Sequence, residues 1–70
     1  MELRRIVAQN LRRLRQDRGL TQEELAGQAG LNRNYVGMIE REENSPTVDT
    51  LEDLAKVLKV EAEAFLKRLS

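Results

Sequence analysis

The sequence predicts an all-α domain of five short helices with a helix-turn-helix at its centre. Apolar residues recur at spacings of three and four along most of the chain, the repeat of one helical face. β-branched residues are few and scattered, so no stretch reads as a strand. Glycines and cap-forming side chains fall between the periodic stretches, where short helices would stop and start. Seventy residues make a single domain, 1–70. A core of this size supplies only roughly 3–5 kcal/mol, which makes self-association an expectation from length alone.

The first helix is predicted over Glu2–Asp17, with Leu3, Ile6, Val7, Leu11 and Leu14 on its inner face. Its arginines fall mostly on the other faces and read as solvated surface. Arg18-Gly19 ends it, because a cation suits the negative end of a helix and glycine accepts the left-handed conformation of a helix stop. Leu20 then turns inward.

The chain is organised around Thr21–Arg41, TQEELAGQAGLNRNYVGMIER. Thr21 and Glu24 fit a capping box, in which each side chain satisfies the other residue's free N–H. The second helix follows over Gln22–Ala29, with Leu25, Ala26 and Ala29 inward. Gly30 stops it and Leu31 plugs the turn. Asn32 is the cap candidate for a third helix, Arg33–Arg41, whose buried side carries Val36 and Ile39. Ala26 is small because two helices meeting at a steep angle leave little room at their crossing. A small residue at 26, glycine at 30 and apolar residues at 36 and 39 give the helix-turn-helix spacing. A plain αα-hairpin in a small helical domain has the same outline.

Residues 42–47, EENSPT, read as a loop, with Pro46 holding Ser45 out of helical conformation. Asp49 with Glu52 resembles a second capping box, opening a fourth helix over Thr50–Leu58 with Leu51, Leu54, Ala55 and Leu58 inward. Val60 interrupts. A fifth helix is expected over Glu61–Leu69. Val60, Phe65, Leu66 and Leu69 are the candidate dimer surface, since Leu66 is offset from the stripe of Phe65 and Leu69.

Composition narrows the function. The chain has no cysteine and no histidine, which excludes a disulfide scaffold and any zinc or haem site built on those ligands. No metal, cofactor or catalytic residue is expected: the carboxylates read as caps and solvated faces, and no glycine loop is built to cradle phosphate. No apolar run approaches the roughly 18 residues of a membrane span, and the first ten residues lack the apolar stretch of a signal peptide. A cytoplasmic protein of a bacterium or phage is the expectation. The net charge is zero, unlike most nucleic-acid binders, but it is unevenly spread. Residues 1–20 carry six arginines against two acidic side chains, whereas residues 42–70 carry seven acidic against four basic. An acidic end facing away from a polyanion is consistent with binding.

With its flanks NLRRLRQDRGL and NSPTVDTLEDLAKVLKV, the central stretch resembles the lambda-repressor-like, Cro/XRE-type helix-turn-helix family. Short stand-alone chains of that family include restriction–modification controller proteins and small antitoxin-type repressors, and this chain is similar to both. The resemblance implies a sequence-specific regulator of transcription on double-stranded DNA, a homodimer on an inverted-repeat operator. The third helix would lie in the major groove with its first residues at base edges. Base reading then falls to Arg33, Asn34 and Met38. Arginine suits the acceptors of guanine, asparagine suits adenine or accepts from cytosine, and methionine offers apolar contact to a thymine methyl. Gln22 falls on the DNA backbone. Asn32, Arg41 and Asn44 are further backbone candidates, as is Tyr35, although its place beside Val36 favours packing. Gly37 would let the helix approach DNA closely. Arg15 and Glu40 are implied to form an ion pair tying the first helix to the third. One departure stands out: the family usually has glycine after the E-R pair, and here Glu42 occupies that place. The alternative role is a protein-binding module, with the third helix meeting a toxin or an RNA polymerase subunit instead of DNA.

Overall fold

The computed structural model describes residues 2–68. Among them are four α-helices: α1 (Glu2–Asp17), α2 (Gln22–Gln28), α3 (Tyr35–Glu40) and α4 (Val48–Leu58). A 3₁₀ segment, Ala62–Leu66, follows α4, and the described residues contain no strand. The all-α class is therefore as expected, but the fifth helix is not. No helix is long and apolar enough to cross a membrane among the described residues.

α1 is the spine, packed against α3 and the 3₁₀ segment, while α4 packs on α2 and the 3₁₀ segment. Leu11, Leu25, Val36, Ile39, Leu54 and Phe65 are wholly buried, so each element contributes to one centre. Ala26 is also wholly buried, as its place at the α2–α3 crossing requires. Leu3 was expected inside but is half exposed at the start of α1.

Every helix stops with the same backbone closure, in which a left-handed residue lets the next N–H reach back to a carbonyl in the last turn. After α1, Gly19 sits at φ +68° and Leu20 N–H donates to the Arg15 carbonyl at 3.2 Å. After α2, Gly30 sits at φ +74° and Leu31 N–H donates to the Ala26 carbonyl at 2.8 Å. α3 and α4 close identically on side-chain-bearing residues, Glu42 at φ +63° and Lys59 at φ +58°. Glu43 N–H then reaches the Met38 carbonyl at 2.8 Å, and Val60 N–H the Ala55 carbonyl at 3.1 Å. The departure at Glu42 thus keeps the turn that glycine would make and bears the strain of a Cβ there. Glu42→Gly is expected to stabilise the fold by about 0.5–1 kcal/mol, the relieved strain less the entropy glycine loses on folding. A urea midpoint at or below wild type would contradict this.

Two helix starts differ from expectation. α4 begins at Val48 with Thr47 as its cap, not at Thr50 with Asp49. Thr47 is extended after Pro46, and its Oγ1 accepts the Thr50 N–H at 3.0 Å. The earlier start places Asp49 in the first turn, where a carboxylate favours the positive helix end without capping it. α3 begins at Tyr35, two residues later than expected. Asn32 still acts as the opening group, since its Oδ1 accepts the Asn34 N–H at 2.9 Å and its carbonyl accepts the Tyr35 N–H at 2.9 Å. Arg33 and Asn34 consequently lie in a tight turn ahead of the helix.

The missing fifth helix has its cause in α1. Asn10 is wholly buried, and its Nδ2 donates to the Phe65 carbonyl at 2.8 Å and the Lys67 carbonyl at 2.7 Å. One amide can reach the carbonyls of residues 65 and 67 together only where the chain between them is not helical, since in a helix those two carbonyls lie on nearly opposite sides, and Lys67 is extended. An Arg68–Glu2 ion pair adds a second tie between the ends of the described chain. Asn10→Ala strips two carbonyls of their donor, and the thermal midpoint should fall by about 10 °C. A melt coincident with wild type would remove Asn10 from this role.

Candidate nucleic-acid interface

The candidate interface is built on one carboxylate. Glu40 ends α3 with its side chain only 2% exposed. Arg15 of α1 grips it with both arms of its guanidinium, Nε to Oε2 at 2.7 Å and Nη2 to Oε1 at 3.1 Å. The remaining Arg15 nitrogen, Nη1, donates to the Leu20 carbonyl at 2.8 Å, in the turn between α1 and α2. Gln22 Nε2 donates to Glu40 Oε1 at 3.0 Å, and Arg12 Nε lies 3.6 Å from the same oxygen. A single group thus fixes α3 against α1 and against the start of α2. The pairing implied for Arg15 and Glu40 is present, and it is bidentate, the strongest geometry for such a pair.

Over this anchor lies an exposed, polar face. Arg33 and Asn34 are exposed in the turn before α3, beside the exposed Asn32. Met38 is half-buried one turn along α3. Tyr35 is half-buried and packed against the core, in keeping with packing as its first role. Asn44 is half-buried in the loop after α3.

Gly37 makes room within the protein itself. A Cβ there would stand 2.9 Å from Arg41 Nη1 and 3.0 Å from Gln22 Oε1. The missing side chain makes room for two of the protein's own polar groups, which lie across α3 at this point. Arg41 in turn is paired with Glu43, Nε to Oε2 at 3.0 Å and Nη2 to Oε1 at 3.2 Å. These hydrogen bonds hold the Glu43 carboxyl below its ordinary range and raise the Arg41 guanidinium. Of the residues named for this face, Gln22, Arg41 and Met38 therefore gather around α3, and Asn32, Arg33 and Asn34 around its leading turn.

A helix-turn-helix family profile, HTH_3, matches residues 11–65. The chain belongs to this helix-turn-helix family. It is similar to an HTH-type transcriptional regulator of Sinorhizobium fredii, 43% identical over 60 residues that cover 86% of this chain and 78% of that one. It is similar also to the control protein C.SmaI of Serratia marcescens, 41% identical over 68 residues, with 97% and 81% covered. Among solved structures it is similar to the restriction–modification controller protein C.AhdI of Aeromonas hydrophila, at TM-score 0.88 and 35% identity, covering 93% of this chain and 98% of that one. Like these relatives, this helix-turn-helix protein is a DNA-binding transcriptional regulator of Cro/XRE type, and they are regulators rather than enzymes.

Two residues of consequence escaped the sequence reading. Arg12, read as solvated surface, keeps its side chain 64% exposed while its Nε sits beside Glu40, so a cation from α1 borders the start of α2. Asn10 was legible only as a polar residue at a core-facing position of α1, next to Leu11. The candidate dimer set divides. Phe65 is wholly buried within its own chain and is withdrawn from that surface. Val60 is half-buried against the core, Leu66 is 49% exposed, and Leu69 lies outside the described residues.

Proposed function

We propose that this helix-turn-helix protein acts as a homodimer that reads an inverted-repeat operator through the turn before α3. The observation carrying this reading is the outward placement of Arg33 and Asn34 at the leading end of an α3 fixed from beneath by Glu40. Arginine and asparagine at that end supply the donors that distinguish guanine and adenine in the major groove. Met38 contributes apolar contact further along. Gln22, Asn32, Arg41 and Asn44 are the groups that meet phosphate, with Tyr35 secondary, and such contacts set register without reading sequence.

Size supports two subunits. The longest extent of one chain is 28 Å, shorter than the roughly 34 Å between half-sites one helical turn apart. Leu66 and Leu3, about half exposed, border a shallow apolar pocket with Val7, Pro46 and Leu51, and this patch is the proposed contact between subunits. The C.SmaI and C.AhdI likeness makes control of a restriction–modification system a natural setting.

Selection of bound sites from random duplexes tests the reading. It should return an inverted repeat, and Arg33→Ala should relax preference at one position per half-site, at a cost of about 1–3 kcal/mol. Sites without symmetry, or unaltered preference in Arg33→Ala, would reject it. Leu66→Glu should sediment as a monomer if the patch joins the subunits.

A further inference from the structure

Given the DNA-contacting role proposed above for this face, we propose that Glu43 occupies the place on Arg41 that a DNA phosphate would take, and so limits affinity for DNA of any sequence. The geometry is that of phosphate capture. Two parallel bonds join the Arg41 fork to the two carboxylate oxygens, at 3.0 Å and 3.2 Å, as a phosphate would present its own oxygens. The guanidinium lies across Gly37 beside Gln22 Oε1, on the same side of α3 as the start of α2. Both partners are about half exposed, so a phosphate can displace the carboxylate without opening the core.

The backbone holds the carboxylate there. Glu43 is fixed two residues from Arg41 by its N–H bond to the Met38 carbonyl and by the left-handed turn at Glu42. The internal anion is thus part of the helix stop rather than a distant side chain swinging in. Among the described residues no carboxylate pairs with Arg33, the proposed base reader. Glu43 therefore subtracts from the sequence-independent share of binding and leaves the base-reading share intact. Non-specific affinity comes from phosphate contacts, so lowering it raises the ratio that decides occupancy of a true site.

The test is a set of salt-dependent anisotropy titrations with a mixed-sequence duplex. It uses wild type, Glu43→Gln, Glu42→Gln, Arg41→Ala and the Arg41→Ala/Glu43→Gln double variant. Glu43→Gln should bind about two- to fivefold more tightly, as loss of an exposed ion pair allows. Its plot of log affinity against log salt should steepen by up to about 0.9, the limit for one phosphate contact that the carboxylate no longer contests. The gain should vanish in the Arg41→Ala background and be smaller in Glu42→Gln, which removes an equal charge that does not touch Arg41. Glu43→Gln binding like wild type or more weakly would overturn the proposal. An equal gain without Arg41, or from Glu42→Gln, would also overturn it, because simple repulsion would then explain the effect. A wild-type chain with no affinity for duplex at low salt would overturn the DNA-contacting role and this proposal together. Wild-type binding with an unresponsive Glu43 would overturn this proposal alone.

Discussion

Glu40→Ala is expected to unfold the domain rather than to alter its base preference. The substitution leaves the Arg15 guanidinium, whose side chain is only 11% exposed, without its bidentate partner. Breaking a buried pair from one side costs roughly 3–5 kcal/mol, because the remaining charge stays desolvated. A chain of this length has about that much stability in total. The loss also frees Gln22 Nε2, so α2 loses its polar tie to α3 as α1 does. Thermal melts followed by circular dichroism give the readout, with Arg33→Ala as the comparison that should melt like wild type. Glu40→Ala at the wild-type midpoint would refute the role. Replacing both members, Arg15→Met with Glu40→Leu, should recover part of the loss, since no charge is then stranded.

Phe65→Ala is expected to cost about 3–5 kcal/mol, the usual penalty for emptying a large aromatic from a closed core. Phe65 is wholly buried between α1 and α4, so the cost should not depend on protein concentration. Leu66→Glu offers the contrast. Leu66 is half exposed, and its substitution should lower the midpoint only through loss of association. Chemical denaturation at several protein concentrations separates the two. A Phe65→Ala deficit relative to wild type that changes with concentration would return that ring to the subunit contact.

The central stretch was legible because its signals are local. The Thr21–Glu24 capping box, the Gly30 stop, the small Ala26 and the inward Val36 and Ile39 each act within a few residues. The Arg15–Glu40 pair spans 25 positions, and family resemblance alone pointed to it. The C-terminal end was misread because its conformation is decided far away in sequence. Phe65 and Leu66 have helical spacing, but Asn10, 55 residues earlier, takes the Phe65 carbonyl and ends the regularity. The α4 start failed for a different reason. Thr47 and Asp49 are both competent caps, and only the extended backbone after Pro46 decides between them. The crowding of Gln22 and Arg41 over Gly37 was not legible, because those groups lie on either side of it in the sequence and meet only through the fold.

Arg33 and Asn34 sit in a turn that takes part in neither the apolar interior nor the Glu40 bonds beneath it. The scaffold is therefore indifferent to which side chains stand at those two places. On the base-reading role proposed for them, descendants of this chain can acquire new DNA targets by exchanging a pair of residues, with no compensating repair elsewhere. A library randomised at 33 and 34 should hold a narrow spread of melting temperatures while its preferred sequences diverge.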